Sequence, residues 1–128
     1  CDIVAMDESR VCEMPIDLSA LYPTLLELGG LEADEACDGV SIVPLLKNPE
    51  REWNRPALMT YGRGNHALRS ERWRYIRYAD GSEELYDHRD DPNEWTNLSA
   101  KKRFSSIIDS HKKWLPQNEA TLVPDLKR

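Results

Sequence analysis

Leu18, Leu21, Tyr22, Leu25 and Leu26 recur at intervals of three and four, which places them on one face of a helix. Ser19 stands where an N-cap belongs. It would put Pro23 at the fourth helical position, where the missing N–H removes only the first intrahelical bond. Gly29 and Gly30 supply a left-handed stop. Residues 1–14 carry neither period nor turn grammar and read as an irregular lead-in. After the turn pair Asp38-Gly39, Ser41 predicts the cap of a short helix with Pro44 in its first turn and Pro49 closing it. Residues 48–56 are polar, contain Pro49 and Pro56, and read as a surface loop or a connection between subdomains.

From Ala57 the pattern becomes that of strands. Residues 57–61, 67–70, 73–79 and 84–87 are short runs rich in aromatic or aliphatic side chains, separated by turn signals. Gly62 to Asn65 is one such signal, and Asp80-Gly81 is the strongest, a hairpin dipeptide between two strand-like runs. Connections this short exclude crossovers and predict an antiparallel meander. Asp91-Pro92-Asn93-Glu94 reads as a helical turn, with Asp91 as cap and Glu94 completing a capping box. Ser99 then predicts the cap of a longer helix whose apolar stripe is Phe104, Ile107, Ile108, His111, Trp114 and Leu115, ended by Pro116. Residues 117–128 are a polar tail. The fold class expected is α+β: helices, then a small four-stranded antiparallel sheet, then a helix covering one face of it.

Composition narrows the function. The 128 residues are enough for one ordinary domain and too few for a large multidomain enzyme. A net charge of -6 disfavours a sequence-independent grip on nucleic acid or anionic lipid. No apolar run approaches the roughly 20 residues that span a bilayer. Cys1, Cys12 and Cys37 form no C-x-x-C pair, His66, His88 and His111 are scattered, and reduced structural cysteines are expected.

Three constellations carry candidate chemistry. Arg69, Arg72, Arg74 and Arg77 interleave with Trp73, Tyr75 and Tyr78, a composition that suits single-stranded nucleic acid. In an acidic chain it suits strands better, with the arginines pairing to acids such as Glu71, Glu83 and Glu84. The stretch from Gly62 to Arg69 sets Arg63, Asn65 and His66 in a loop with two glycines. Such a loop is able to hold a sulfate, phosphate or carboxylate, or is simply a hairpin turn whose histidine is satisfied by backbone. Asp87, Asp90, Asp91 and Glu94 surround His88, but EF-hand spacing is absent, two of these acids already have capping roles, and no metal site is expected. No G-x-S-x-G elbow is present, and no complete catalytic apparatus is legible.

Three stretches resemble one family. Pro15-Ile16-Asp17-Leu18 through Tyr22-Pro23-Thr24-Leu25-Leu26-Glu27-Leu28-Gly29-Gly30-Leu31 resembles the D-L-x-P-T-L-L-x-L-A-G helix of type I sulfatases. Asp38-Gly39-Val40-Ser41-Ile42-Val43-Pro44-Leu45-Leu46 is similar to their D-G-x-S-L-x-P-L-L segment. Glu84-Leu85-Tyr86-Asp87, with Asp91-Pro92, Glu94, Asn97 and Leu98, resembles their E-L-Y-D-L…D-P-x-E-x-x-N-L ending. The run from Asn65 to Tyr78 is similar to bacterial relatives of iduronate-2-sulfatase. The resemblance covers roughly residues 15–115.

It implies an alkaline-phosphatase-like fold in which a larger amino-terminal domain carries the chemistry and a small sheet-and-helix subdomain closes the chain. On that reading residues 1–56 end the larger domain, 57–116 form the sheet and helix, and 117–128 are the tail. The family's nucleophile is a formylglycine made within C/S-x-P-x-R. Cys12-Glu13-Met14-Pro15 places its Pro one residue late and lacks the Arg, and Cys1 and Cys37 match no better. The divalent cation (calcium in this family), its carboxylates and the catalytic Lys, His and Arg would all lie upstream. The expectation is therefore no catalytic, metal or cofactor residue in this chain. Its partners would be its own upstream catalytic domain and a sulfated saccharide, whose pocket it would rim through Asn65 and His66. Such enzymes are commonly exported, which implies a periplasmic or extracellular location. A stand-alone module binding sulfated glycans and a purely structural lid are the alternatives.

Overall fold

The computed structural model describes residues 11–121, so the expectations for Cys1 and for residues 122–128 lie outside the described residues. The chain divides into two compact units, residues 1–55 and 56–128.

In the first unit a 3-10 turn, Leu18–Ala20, runs into helix α1, Leu21–Leu28. Asp17 is the cap here, not Ser19: its carboxylate accepts the Ser19 N–H at 3.1 Å and the Ser19 hydroxyl as well. A carboxylate two residues earlier satisfies the first free amides, and with the extra 3-10 turn Pro23 stands at the third position of α1. The helix ends as the glycines predict. Gly30 sits at φ +67°, its N–H donates to Glu27 O at 3.1 Å, and Leu31 N–H donates to Leu26 O at 2.9 Å.

Thr24 ties α1 to the next element. Its hydroxyl donates to Ala20 O at 2.6 Å and accepts the Ile42 N–H at 3.0 Å, just before helix α2, Val43–Lys47. Ser41 accepts the Val43 N–H at 3.2 Å, and Pro44 occupies the first turn. Gly39 passes so close to Ser19 that a Cβ would lie 2.0 Å from its carbonyl oxygen, which only glycine permits. Ala20, Thr24, Val43 and Leu45 are the buried side chains, whereas Leu18 is 82% exposed and Leu25 is 65% exposed. The apolar stripe that defines α1 in the sequence thus faces outward.

The second unit is a four-stranded antiparallel meander: β1 (Ala57–Thr60), β2 (His66–Arg69), β3 (Trp73–Arg77) and β4 (Glu83–Asp87). Leu58 pairs with Leu68, Leu68 with Tyr75, and Tyr75 with Leu85, a row of apolar side chains across all four strands. Helix α3, Ser105–Lys112, covers this row with Ile108, while Phe104, Ile107 and Leu115 pack beside it. Leu68, Tyr75 and Leu85 are fully buried, worth about 1.5–3 kcal/mol each in apolar transfer. The buried His111 under α3 is satisfied on both ring nitrogens: Nδ1 donates to Ile107 O at 2.8 Å, and Nε2 accepts the Ser70 hydroxyl at 3.1 Å.

Two capping expectations fail here for the same reason, because a group distant in sequence claims the side chain. Ser99 donates to Glu83 O at 2.8 Å and lies along the outer edge of β4, so α3 starts later, from a 3-10 turn at Lys102–Phe104. Leu98 N–H donates to Leu85 O at 2.8 Å and Asn97 Oδ1 accepts the Leu85 N–H at 3.1 Å, so this segment protects the sheet edge. Glu94 closes no capping box. Its φ of +59° turns the chain out of a helix and sends its carboxylate to Arg74 and His88, while Asp91 alone accepts the Trp95 and Thr96 amides.

Candidate functional site

The β1–β2 and β3–β4 hairpins lie at the same end of the sheet, and the loop singled out in the sequence is the first of them. Register sets Thr60 opposite His66 on one face. The His66 ring is buried, with Nδ1 3.0 Å from the Thr60 hydroxyl and Nε2 3.0 Å from Glu119 Oε1. A carboxylate only accepts, so Nε2 carries a proton and Nδ1 faces a hydroxyl able to serve either tautomer. Glu119 also accepts the Gly64 N–H at 2.9 Å and lies 3.6 Å from Arg63 Nε. The hydrogen bond from His66 holds the Glu119 carboxyl below the ordinary carboxylate value, opposed by desolvation and assisted by the Gly64 amide and Arg63.

Asn65 is the second brace. Its Oδ1 accepts the Ala79 N–H at 3.2 Å, and its Nδ2 donates to Arg63 O at 3.2 Å. Tyr61 N–H donates to Asn65 O at 3.0 Å, and a Cβ on Gly64 would meet Ala79 Cβ at 2.9 Å, so the two hairpin tips touch. The two residues predicted to contact a ligand are therefore brought together, with both side chains engaged in building the loop. Beside them is a depression of about 470 Å³ lined by Asn65, Tyr78, Ala79, Asp80 and Ser82. Sequence reasoning missed Glu119, which lies 53 residues from His66 in a polar segment without pattern. Thr60 was within reach, since counting back across a five-residue loop sets it opposite His66.

The acidic cluster at the other end of the sheet is spoken for. Asp87 is buried and forms a two-pronged pair with Arg72, Nε lying 2.7 Å from Oδ1, and Arg72 also stacks over the Trp73 ring at 4.7 Å. That pair holds the Asp87 carboxyl below its usual range against the opposing effect of burial. Glu94 lies 3.0 Å from Arg74 and 2.6 Å from His88. Arg72 and Arg74 thus pair with Asp87 and Glu94, while Arg69 donates to the backbone carbonyls of Ser70, Glu71 and Trp73. The acid that does hold the sheet together is Glu83, which accepts the Tyr75 hydroxyl at 2.8 Å and lies 2.7 Å from Lys112.

The family resemblance implies calcium and a formylglycine upstream of this chain, and the described residues do not fit either group. Among the described residues no three His, Cys, Asp or Glu side chains converge to hold a metal ion, and the nearest carboxylates are already neutralised by arginine. Cys12 is exposed and free. The free thiol of Cys37 is pushed up by desolvation and by Asp34 and Asp38, the opposite of nucleophile activation.

Comparison with known proteins agrees with this geometry. A family model described as N-sulphoglucosamine sulphohydrolase, C-terminal, matches residues 5–121. A sulfatase of Formosa agariphila is 39% identical over 116 residues, covering 91% of this chain and 23% of that protein. A Delta 4,5-hexuronate-2-O-sulfatase of Bacteroides thetaiotaomicron is 29% identical over 101 residues, covering 72% of this chain and 21% of the relative. Among solved structures, a 2-O GAG sulfatase superposes with a TM-score of 0.54 at 26% identity, over 73% of this chain and 22% of the other. The phosphonate monoester hydrolase of Agrobacterium radiobacter gives 0.55 at 26% identity, over 73% and 23%. The chain therefore spans between a fifth and a quarter of the length of these proteins. By the extent of the family match and the fold that accompanies it, the chain belongs to the sulfatase C-terminal family typified by N-sulphoglucosamine sulphohydrolase.

Proposed function

We propose that this chain is the carboxyl-terminal portion of a sulfuric ester hydrolase acting on a sulfated carbohydrate, and that it is not itself catalytic. The observation that carries the reading is the family match over residues 5–121, together with relatives four to five times longer whose names specify sulfate ester cleavage. The chemistry agrees. Cleaving a sulfate ester requires an activated nucleophile and several positive groups around the developing charge. In the described residues Arg72 and Arg74 are committed to Asp87 and Glu94. The calcium ion and the formylglycine belong, on this reading, to residues upstream.

The role left to the chain is to pack on that catalytic domain and to rim its substrate pocket. The outward apolar stripe of α1 is the surface that the upstream domain covers, and the hairpin end of the sheet, with Asn65 and His66 as its braces, faces the pocket. A periplasmic or extracellular location belongs to the same proposal. Assay of 4-nitrophenyl sulfate and a 2-O-sulfated disaccharide tests this directly. The 128-residue chain is expected to turn over neither, and the full-length protein is expected to show calcium-dependent hydrolysis. Turnover by the chain alone, or none by the full-length protein, contradicts the reading.

A further inference from the structure

Three donors of one hairpin converge on a single carboxylate. His66 Nε2 lies 3.0 Å from Glu119 Oε1, the Gly64 N–H donates to Oε2 at 2.9 Å, and Arg63 Nε stands 3.6 Å from that second oxygen. The first two donors are held by contacts in which Glu119 takes no part. The His66 side chain is 5% exposed, with Nδ1 3.0 Å from the Thr60 hydroxyl. Gly64 keeps a φ of +78° against Ala79, and Asn65 bridges Arg63 O and the Ala79 N–H. Both N–H groups therefore point at one position whatever fills it. A buried ring N–H left without an acceptor costs about 1–3 kcal/mol, so that position has to hold one.

What fills it differs in kind from the other paired acids of the sheet. Asp87 reaches Arg72 and Glu83 reaches Lys112 from inside β4, so neither can leave without breaking the sheet. Glu119 comes from residues 116–121, which form neither helix nor strand, and its side chain is 27% exposed. The surroundings favour an anion. Register sets Arg77 opposite His66 and Glu83 opposite Arg77, and Glu83 is already taken by the Tyr75 hydroxyl and Lys112.

We infer that His66, Gly64 and Arg63 form a carboxylate-binding cradle, that Glu119 occupies it in cis, and that residues 116–121 are a strap displaced when a ligand carboxylate enters. His66 and Gly64 each take a different oxygen, an arrangement matched to a planar two-oxygen group. While the strap is closed, the affinity for a ligand is reduced to the fraction of molecules in which it is open. The inference rests on the sulfatase reading only for the source of that carboxylate, an acidic saccharide.

The test titrates sodium glucuronate into the 128-residue chain and its Glu119→Ala variant, following the Gly64 amide and the His66 ring by NMR, with glucose and sodium sulfate at matched ionic strength as controls. Glu119→Ala is expected to bind glucuronate about tenfold or more tightly than the unsubstituted chain, because the tethered competitor is gone, with shifts centred on Gly64 and His66. Glucose is expected to shift neither. In the Glu119→Ala background, His66→Phe is expected to abolish binding, and the surface change Arg63→Ala to weaken it about threefold. Equal affinity of Glu119→Ala and the unsubstituted chain, or no shift at Gly64 in Glu119→Ala, overturns the cradle and leaves Glu119 as a packing contact. So does an equal response to sulfate, which marks a salt effect, or binding unchanged by both His66→Phe and Arg63→Ala. No readout involves hydrolysis. Glucuronate binding of this kind in a protein that cleaves no sulfate ester sinks the sulfatase reading and keeps the cradle, whereas a working sulfatase without it keeps that reading and loses the cradle.

Discussion

The two units of this chain use leucine in opposite ways. In residues 56–128, Leu68 and Leu85 are fully buried with Tyr75 between sheet and helix, and the partly exposed Leu58 extends their row to the edge strand. In residues 1–55, Leu18, Leu21, Leu25, Leu28 and Leu31 stand half or more exposed, while the small side chains Ala20 and Thr24 are buried. A patch of that kind is expensive in water and normally marks an interface. The second unit closes its own core within about 60 residues of chain. The first has the sequence of a core element and the exposure of a surface, which is what a piece of a larger hydrophobic layer looks like when described by itself.

Core truncation breaks this contrast most severely if it is false. Leu68→Ala is expected to cost about 3 kcal/mol, read as a lower urea midpoint by tryptophan fluorescence. Leu25→Ala in the same assay is expected to change stability by about 0.5 kcal/mol or less, because nothing in its unit buries it. Equal losses would mean that α1 uses its stripe internally. The complementary experiment replaces Leu21 and Leu25 together with Gln. Binding of an apolar dye by the 128-residue chain is expected to fall severalfold, with the melting of the second unit unchanged.

Acid sharpens the comparison further. Arg72 holds the Asp87 carboxyl below its unfolded value, and Glu83 ends below its own because Lys112 and Tyr75 outweigh the burial that pushes it up. Carboxyls lowered on folding bind fewer protons in the native state. Their stabilisation is therefore complete above about pH 4–5 and drains away as pH falls through the folded values. Stability of the second unit is expected to fall steeply below about pH 4, with Asp87→Asn flattening that slope and lowering the plateau above it. The smallest effect belongs to Glu119→Gln. It is expected to speed exchange of the Gly64 amide and shift the His66 ring resonances, while Leu68 and Tyr75 stay protected.

The sequence made the second unit legible because local rules and global fold agree there. Alternation, the Asp80-Gly81 turn and short connections locate all four strands within one or two residues. Helix α1 was equally plain as an element, but periodicity identifies a face without saying what covers it, so the outward orientation of Leu21 and Leu25 had no signal. Ser99 and Glu94 were misread as caps because the sheet edge and Arg74, far away in sequence, compete for the same side chains. Asn65 and His66 were singled out from the sequence as contacts to a ligand, and the structure shows both side chains bonded within the loop. That they brace the tip depends on Ala79 and Glu119, which only the fold brings into contact.

The most direct test of the account is hydrogen exchange followed by mass spectrometry, on the 128-residue chain and on the full-length protein. The amides of β1 to β4 are expected to exchange alike in both. Those of α1, Leu21–Leu28, are expected to exchange quickly in the chain and to be protected a hundredfold or more in the full-length protein, on the order of 3 kcal/mol of added local stability. Equal protection of α1 in both would contradict the claim that its apolar stripe is an interface with the rest of a sulfatase.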